Sequence, residues 1–436
     1  METDITQELF TFIERSPSPY HTVGTAAEML TAKGYERLEE QCTWELKKGG
    51  RYFVTRNLSS IIAFRIPEEA CGGFHIMASH GDSPSFKIKE HPETVSDGKY
   101  VRLNVEKYGG MIMASWLDRP LSAAGRLLVR NGSAVTTRLV NADRDLLLIP
   151  NLAIHMNREV NEGYKYNPQK DMLPLYGEFT AKGTFMQLMA EAAGVSGDDI
   201  LGSDLFLYNR MPGTVWGADD AFISSARLDD LQCAFASLKG FLTSYDSSCI
   251  PVLCILDNEE VGSTSKQGAA STFLRDTLRR ICTASGKSEE RYHTMLASSF
   301  MVSADNAHAV HPNQPDKTDE TNRPYMNGGI VIKYSANQKY TTDAVSASIF
   351  KMICEKADVP YQSFLNRSDM AGGSTLGSIA NTQTAMNTAD IGLAQLAMHS
   401  PYETAGARDT EYLVRASRTF YESAVTCLGD GSYRVS

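Results

Sequence analysis

Three short apolar runs in this chain each lead into acidic or imidazole side chains, and this pattern constrains the fold more than any other feature. The runs and the residues that follow them are Phe74–Ala78 before His80, Ile250–Leu256 before Asp257, and Phe300–Ser303 before Asp305. Continuous apolar runs of this length are typical of strands buried on both faces of a sheet. Because ligands of open α/β sheets bind beyond the carboxyl ends of the strands, the pattern predicts an α/β fold with a polar site at one edge of its sheet.

The chain length predicts more than one domain. Its 436 residues exceed the roughly 250–300 residues at which single cores stop growing. After Pro84, short alternating segments are interrupted by turn pairs such as Gly109-Gly110, which favours β structure, and helix–strand alternation returns near Ser224. We therefore predict a discontinuous α/β domain at residues 1–91 and 224–436, with a mixed central sheet flanked by helices, and an inserted β-rich domain at residues 92–223.

The first 34 residues predict two helices. Apolar residues at helical spacing favour a helix over residues 4–15, and the Ser-Pro-Ser-Pro run at 16–19 should end it. A second helix is predicted from Thr22 to Lys33, before Gly34.

Composition excludes several classes of protein. The formal charge of −10 opposes binding to nucleic acid through phosphate neutralisation, and no run approaches the roughly 18 apolar residues of a membrane span. The beginning of the chain lacks a basic flank with an apolar run, so we expect a soluble cytoplasmic protein. The cysteines form no CxxC pair and are expected to be reduced, mostly buried thiols; they are Cys42, Cys71, Cys233, Cys249, Cys254, Cys282, Cys354 and Cys427.

Two of the polar clusters suggest a division of labour at a metal ion. Asp82 stands two residues after His80, where it could accept the proton of one ring nitrogen while the other nitrogen faces a metal. Glu259 and Glu260 follow the second apolar run, and adjacent buried glutamates are costly unless they are paired, solvated or metal-bound. One glutamate can ligate a cation while its neighbour accepts a proton from water that the cation acidifies.

Further acids and histidines lie near the ends of other predicted strands and helices. They are Asp229 and Asp230 at the start of a predicted helix, His308 and His311 after Asp305, and His399 near the end of the chain. Carboxylates and imidazoles without cysteine suit zinc, cobalt or manganese. Taken singly, each has an ordinary explanation, such as a helix cap, a solvated turn or a core histidine. Together they favour a site with two metal ions.

The ordered set of motifs resembles the aspartyl aminopeptidase family of metallopeptidases, peptidase family M18. The resemblance covers nearly the whole chain and is carried by SPSPYHTV (16–23), SHGDSPSFKIK (79–89), NLAIHMNREVNEG (151–163), ARLDDL (226–231), LDNEEVGSTSKQGA (256–269), SADNAHAVHPN (303–313) and AMHSPYETAG (397–406).

The resemblance implies specific roles at a pair of divalent ions. Asp229 would bridge the two ions, with His80 and Asp305 completing one and Glu260 and His399 completing the other. Glu259 would be the general base, and Asp82 would orient His80. Zinc is the expected metal, with cobalt and manganese as alternatives.

Substrate contacts and assembly also follow from the resemblance. It implies substrate contacts at His308, Lys333 and Tyr340, and the Lys333 cation could bind the side chain of an N-terminal Asp or Glu. Similar proteins form homododecamers built from dimers, and His155 in the inserted domain matches a family position that reaches the active site of a neighbouring subunit. The expected activity is therefore hydrolysis of the N-terminal bond of peptides by a self-associating enzyme.

Two other classes of function are alternatives to an aminopeptidase. A deacylase or carboxypeptidase acting on a small amide needs the same two-metal site, so substrate assays must separate it from an aminopeptidase. A non-catalytic assembly protein predicts a broken set of functional residues, and Glu259 and His399 are both present.

Overall fold

The apolar runs form neighbouring strands of a nine-stranded sheet in a computed structural model that describes residues 4–69, 72–245 and 249–436. In chain order the strands are β1 (Glu36–Leu38), β2 (Arg51–Arg56), β3 (Ser60–Arg65), β4 (Phe74–His80), β5 (Ser85–Ser96), β6 (Tyr100–Tyr108), β7 (Leu121–Asn131), β8 (Ala134–Asn141), β9 (Leu175–Glu178), β10 (Ile200–Asn209), β11 (Thr214–Trp216), β12 (Phe222–Ser225), β13 (Ile250–Leu256), β14 (Phe300–Ala304), β15 (Ala307–His308), β16 (Ile330–Lys333), β17 (Tyr361–Phe364), β18 (Asn387–Gly392), β19 (Ala394–Leu396), β20 (Glu403–Gly406), β21 (Val425–Gly429) and β22 (Ser432–Val435). The α-helices are α1 (Ile5–Glu14), α2 (Pro19–Ala32), α3 (Pro168–Asp171), α4 (Phe185–Ala193), α5 (Leu228–Thr243), α6 (Phe273–Ala284), α7 (Glu289–Ala297), α8 (Ala344–Lys356), α9 (Leu376–Ala380) and α10 (Asp409–Glu422).

The nine-stranded sheet mixes parallel and antiparallel pairs. Its strand order is β1-β2-β3-β13-β4-β14-β18-β16-β17. The four strands β13, β4, β14 and β18 are mutually parallel, whereas β3 pairs with β13, and β16 with β18, in the antiparallel sense. The predicted α/β class with a mixed central sheet is confirmed.

Each face of the central sheet is covered by helices. Alternate residues of a strand point to opposite faces, so Leu253 of β13 packs into a core with α1, α2, α5, α8 and α10, while Cys254 packs into a second core with α6 and α7. All seven residues of β13 are buried. This two-sided burial explains why the strand reads as a continuous apolar run rather than an alternating one.

The two predicted N-terminal helices are present, with one different boundary. The first ends at Glu14, and Leu9, Phe12 and Ile13 form its buried face. The second begins at Pro19 rather than Thr22, because proline is well suited to the first turn of a helix, where its missing N–H has no intrahelical partner.

A separate six-stranded antiparallel sheet lies within the middle of the chain. Its order is β8-β7-β10-β5-β6-β9, and its core includes Phe86, Leu127 and Leu205 together with Phe185 of α4. A third sheet has the order β11-β12-β20-β19-β15. Along the chain, β11 and β12 precede β13, β15 lies between β14 and β16, and β19 and β20 follow β18. The strands between Ser85 and Asn209 therefore form a sheet that is distinct from the central sheet.

The helices and the cysteines of the described residues bear on the expectations about membrane spans and buried thiols. None of the helices in residues 4–69, 72–245 and 249–436 is long and apolar enough to cross a membrane. Cys71 lies outside the described residues, and Cys42 and Cys427 are exposed. The remaining described cysteines are buried, as expected for most of them; they are Cys233, Cys249, Cys254, Cys282 and Cys354.

Candidate metal centre

The carboxyl ends of three adjacent strands bring the predicted polar residues together. In the parallel pair of β13 and β4, Leu256 is opposite His80, so the turn that carries Glu259 and Glu260 starts beside that histidine. On the other side of β4 lies β14, and Asp305 follows its last residue. The expected location at the carboxyl edge of the sheet therefore agrees with the structure.

Asp229 lies between two pairs of candidate ligands. Its Oδ1 is 3.4 Å from Nε2 of His80, and its Oδ2 is 3.4 Å from Nε2 of His399. On the first side, His80 Nε2 is 3.9 Å from Oδ1 of Asp305. On the second side, His399 Nε2 is 3.4 Å from Oε2 of Glu260. The two oxygens of Asp229 thus face different histidines. Each of these histidines also lies near a second acid, which is Asp305 for His80 and Glu260 for His399.

The oxygen and nitrogen atoms of this cluster suit divalent ions. Donor atoms of Asp229, Glu260 and His399 all lie within 4.8 Å of one another, and so do those of His80, Asp229, Asp230 and Asp305. Within the described part of the chain, Asp229 Oδ1 and Glu260 Oε1 are buried without a hydrogen-bond partner. Buried carboxylate oxygens are normally paired or bound to metal, so these unpartnered atoms fit a site built for cations.

The electrostatics of the cluster point the same way. Burial raises the pKa of Glu259 to about 8, and it raises the pKa of Glu260 well above its usual range. Burial opposes the charged form of His80, but the nearby carboxylates of Asp229, Asp305 and Asp82 raise the pKa of that imidazole well above its usual value. Many acids in one buried site favour protonation unless cations neutralise them.

Asp82, the predicted partner of His80, contacts both the imidazole and the turn that carries the two glutamates. His80 Nδ1 donates to the backbone carbonyl of Asp82 at 3.0 Å and is 3.4 Å from its carboxylate, which leaves Nε2 to face the cluster. The two carboxylate oxygens of Asp82 also accept the backbone N–H groups of Glu259 and Glu260, each at 3.2 Å. Asp82 therefore joins the histidine to the turn that carries both glutamates.

Two further buried carboxylates hold the ligands: sequence reasoning named Asp230 without giving it a role, and it missed Glu403. Glu403 accepts the backbone N–H of Asp229 at 2.9 Å and that of His399 at 2.7 Å. Asp230 Oδ2 accepts the backbone N–H of His80 at 3.2 Å. Glu403 is within the AMHSPYETAG motif, four residues after His399. An acid so close to an apolar stretch is the sequence feature that could have marked it as a candidate.

The predicted substrate residues differ in their positions. Lys333 is 3% exposed, and its Nζ lies 3.6 Å from Asp305 Oδ2 and 5.5 Å from the centre of the Tyr340 ring. His308 lines a cavity of about 480 Å³, whose lining also includes Met398, the residue before His399. His155 lies in an exposed 3₁₀ turn, and no hydrogen bond or ion pair among the described residues joins it to this cluster.

Two other polar residues from the sequence patterns lie outside the candidate ligand groups of the described chain. Asp257 is buried, donates no ligand atom to those groups, and has its pKa raised to about 7 by burial. His311 is exposed and accepts the backbone N–H of Asn313 at 3.2 Å.

Comparison with known proteins gives similarity over nearly the whole chain. A family model described as aminopeptidase I zinc metalloprotease (M18) matches residues 12–421. A Clostridium acetobutylicum protein named probable M18 family aminopeptidase 2 is 46% identical over 428 residues, covering 96% of this chain and 99% of that protein. A chain in a cryo-EM structure of an Ape4 and Nbr1 complex has a TM-score of 0.93 at 36% identity, covering 96% of this chain and 85% of that chain. The S. cerevisiae mApe1 dodecamer structure has a TM-score of 0.84 at 27% identity, covering 96% of both chains.

Proposed function

This chain belongs to the M18 family of metallo-aminopeptidases, and we propose that it removes N-terminal residues from peptides with two divalent ions bound at the Asp229 cluster. The observation that carries the proposal is the position of Asp229, whose two oxygens are each 3.4 Å from a different histidine. A carboxylate shared between two ions is typical of dinuclear hydrolases.

In this proposal the cluster divides into two ligand sets that share Asp229. His80 and Asp305 complete the first set, and Glu260 and His399 complete the second. Nitrogen and oxygen donors without a thiolate suit zinc, which the family description names, and they also suit cobalt and manganese. When bound, such ions acidify a water molecule and polarise the scissile carbonyl.

Glu259 is the proposed general base. Its carboxylate belongs to the same turn as Glu260, and its backbone N–H is held by Asp82 at 3.2 Å. Burial raises the pKa of Glu259 to about 8. A carboxylate of raised basicity can take a proton from water and pass it to the departing amine.

We also propose a preference for acidic N-terminal residues, with Lys333 as the recognising cation and His308 and Tyr340 as neighbouring contacts. Lys333 is buried, and its nearest described carboxylate is 3.6 Å away, a distance longer than a direct hydrogen bond. The electrostatic attraction of Asp305, acting against burial, keeps this side chain charged by raising its pKa. A buried cation beside the candidate metal ligands is suited to a substrate carboxylate.

The active form is proposed to be a homo-oligomer, with residues 92–223 as its oligomerisation domain and a homododecamer built from dimers as the expected assembly. The related S. cerevisiae mApe1 is a dodecamer. Apolar side chains in and just before the 3₁₀ turn that carries His155 are exposed: Leu152 by 55%, Ile154 by 49% and Met156 by 74%. Such a run on a monomer surface favours a contact with another copy, which would bring His155 to a neighbouring active site.

The test combines metal analysis with a substrate panel on the purified, sized oligomer. We expect two zinc ions per subunit and release of aspartyl, glutamyl or leucyl anilides, but no hydrolysis of acylated amino acids. Lys333→Met should lower the aspartyl-to-leucyl ratio of kcat/KM, whereas the half-buried Lys351→Met on α8 should leave the ratio unchanged. Activity confined to acylated amino acids would contradict the aminopeptidase mechanism, and an unchanged ratio in Lys333→Met would contradict the acidic preference.

A further inference from the structure

The segment Tyr108–Ile112 leaves the end of β6 in the six-stranded sheet and lies against the candidate metal centre. The Tyr108 hydroxyl donates to Oδ2 of Asp82 at 2.6 Å. The carbonyl of Gly110 accepts from Nδ1 of His399, and the N–H of Ile112 donates to the carbonyl of His399 at 3.1 Å. One short segment therefore contacts both the residue that holds the glutamate turn and one of the candidate ligands.

We propose that residues 108–112 are a positioning segment through which the six-stranded sheet holds the Glu260 and His399 side of the metal centre, with Tyr108 as its positioning residue. This inference rests on the proposed two-ion function and adds a role for the inserted sheet within the same subunit. None of the roles inferred above involves this segment.

Tyr108 acts through Asp82. Its hydroxyl donates to the Asp82 carboxylate and accepts from the side-chain amide of Asn258 at 2.8 Å, so it has a fixed orientation. The Asp82 carboxylate in turn accepts the backbone N–H groups of Glu259 and Glu260. Loss of the hydroxyl removes one of the two hydrogen bonds to Oδ2 of Asp82, which loosens the turn that carries the proposed base and a proposed ligand.

The tyrosine is itself held by the six-stranded sheet. Its backbone pairs with Ser85 of β5, and its ring packs edge-on against Phe206 of β10 with centroids 5.4 Å apart. Displacement of that sheet relative to the central sheet would therefore move the Tyr108 hydroxyl, from which Asp82 accepts a hydrogen bond.

The Gly110 carbonyl sets the orientation of His399. Because a carbonyl only accepts, Nδ1 of His399 carries a proton in this bond, and Nε2 is the nitrogen that faces Asp229 and Glu260 at 3.4 Å each. Metal-binding histidines usually donate their other N–H to such an acceptor. Here the acceptor comes from the chain that leaves the six-stranded sheet.

Gly109 lets the segment approach Glu260 closely. Its φ of +77° lies in the left-handed region, and a Cβ at this position would be 3.1 Å from Cβ of Glu260 and 3.2 Å from its carbonyl oxygen. A side chain here would meet both backbone strain and the backbone of a proposed ligand. Glycine is therefore the residue that permits this contact.

The first experiment compares Tyr108→Phe with Tyr176→Phe. Tyr176 is a matched control because it lies in β9 of the same sheet, and its hydroxyl bonds Thr184 at 2.8 Å rather than the metal centre. For Tyr108→Phe we expect kcat to fall about 10–100-fold and the dissociation constant of one of the two zinc ions to rise by a similar factor. KM should change little, because the tyrosine does not touch the substrate. Tyr176→Phe should keep wild-type kcat and zinc affinity at a similar melting temperature.

The second experiment tests the same contact without the tyrosine, by comparing Gly109→Ala with Gly98→Ala. Gly98, in the turn between β5 and β6, has a φ of +66° and open space around an added Cβ. Both variants meet similar backbone strain, but only Gly109→Ala meets Glu260. We expect loss of one zinc ion per subunit in Gly109→Ala during dialysis and retention of both in Gly98→Ala.

Zinc titration against a chromogenic chelator measures the affinities independently of activity. Variants at Tyr108 and Gly109 that match their controls in zinc affinity and kcat would overturn the role of the segment, provided that the wild type binds two ions and hydrolyses the anilides. A wild type that does not bind two ions contradicts the proposed function and this inference together, so the two failures are distinguishable.

Discussion

The two sides of the candidate metal centre are held by different kinds of structure. His80 and Asp305 lie at the ends of neighbouring strands of the central sheet, and the His80 side chain is 1% exposed. Glu260 lies in a 3₁₀ turn, and His399 lies in a loop with a φ of 68° and a side chain that is 33% exposed. A left-handed conformation is uncommon for a residue other than glycine, so the surrounding contacts must maintain it.

For the proposed pair of ions, this difference predicts which ion would be held more firmly. The register of β4 and β14 fixes the first side, because a buried strand cannot slip without moving its whole side-chain pattern. The second side is assembled from separate contacts made by Glu403, Asp82 and the 108–112 segment. We therefore expect the ion at His399 and Glu260 to be lost first when either side is weakened.

The largest effect is expected where the two sides meet. Asp229→Ala removes the carboxylate that faces both histidines, so both ions should be lost and anilide hydrolysis should fall to background. Zinc analysis after dialysis measures the first result and initial rates measure the second. Asp198→Ala, at an exposed acid of the inserted region, serves as the control. Retention of one tightly bound zinc in Asp229→Ala would show that the two sides do not depend on a shared ligand.

Glu259→Gln should separate chemistry from metal binding. The amide cannot take a proton from water, so we expect kcat to fall about 100–10,000-fold while both zinc ions remain bound. Rates and zinc content measured on one preparation provide the test. Near-normal turnover would contradict the role as base. Loss of zinc would instead place Glu259 among the ligands on the His80 side, where its carboxylate oxygen lies within 4.8 Å of donor atoms of His80 and Glu260.

The same difference between the two sides governs what the sequence could predict. The edge of the sheet was predictable because β4, β13 and β14 are buried on both faces and appear as unbroken apolar runs before His80 and Asp305. Residue patterns left the individual roles open, and the resemblance to a family supplied the assignment of ligands and base. That assignment remains a proposal here, together with the domain boundaries at 92 and 223.

Other contacts could not be predicted because they depend on distant parts of the chain. Tyr108 ends a strand of a different sheet, and its pattern gave no sign that its hydroxyl would reach Asp82. Glu403 begins β20, four residues after its histidine, and its position in the sequence did not show that it would accept the backbone N–H groups of Asp229 and His399. Gly109-Gly110 indicated a turn, but local sequence could not show that this turn contacts Glu260 and His399.

A smaller and more selective effect is expected at Glu403. In Glu403→Gln, one acceptor oxygen becomes an NH₂ donor that faces a backbone N–H of Asp229 or His399, both of which Glu403 now accepts. Activity should fall about 10–100-fold, as for other changes behind metal ligands, and one zinc should be lost before the other. Glu411→Gln, at an exposed position of α10, should have no effect. Equal weakening of both zinc ions would contradict the expected difference between the sides.

The smallest effect is a pH dependence of stability in the metal-free protein. Burial raises the pKa of Glu259 and of Glu403 to about 8, above the roughly 4.3 expected of an unfolded glutamate. A carboxyl with a raised folded-state pKa binds its proton more tightly when folded. Its contribution to stability is therefore complete below the unfolded-state pKa and is lost as the pH rises through about 8. The raised pKa of His80 acts in the same direction, because its protonated form is favoured by the fold.

Between about pH 6.5, the ordinary value for histidine, and pH 8, the melting temperature of the metal-free protein should consequently fall. The stabilisation that zinc adds should grow over the same range, because the ligands must lose their protons to bind it. Differential scanning fluorimetry with and without zinc measures both trends. Glu403→Gln should have a shallower metal-free slope, since one titrating group on the His399 side is gone. A metal-free wild type that becomes more stable towards pH 8 would show that the buried acids are already neutralised by other groups, and the second side would then need no cation to hold its carboxylates together.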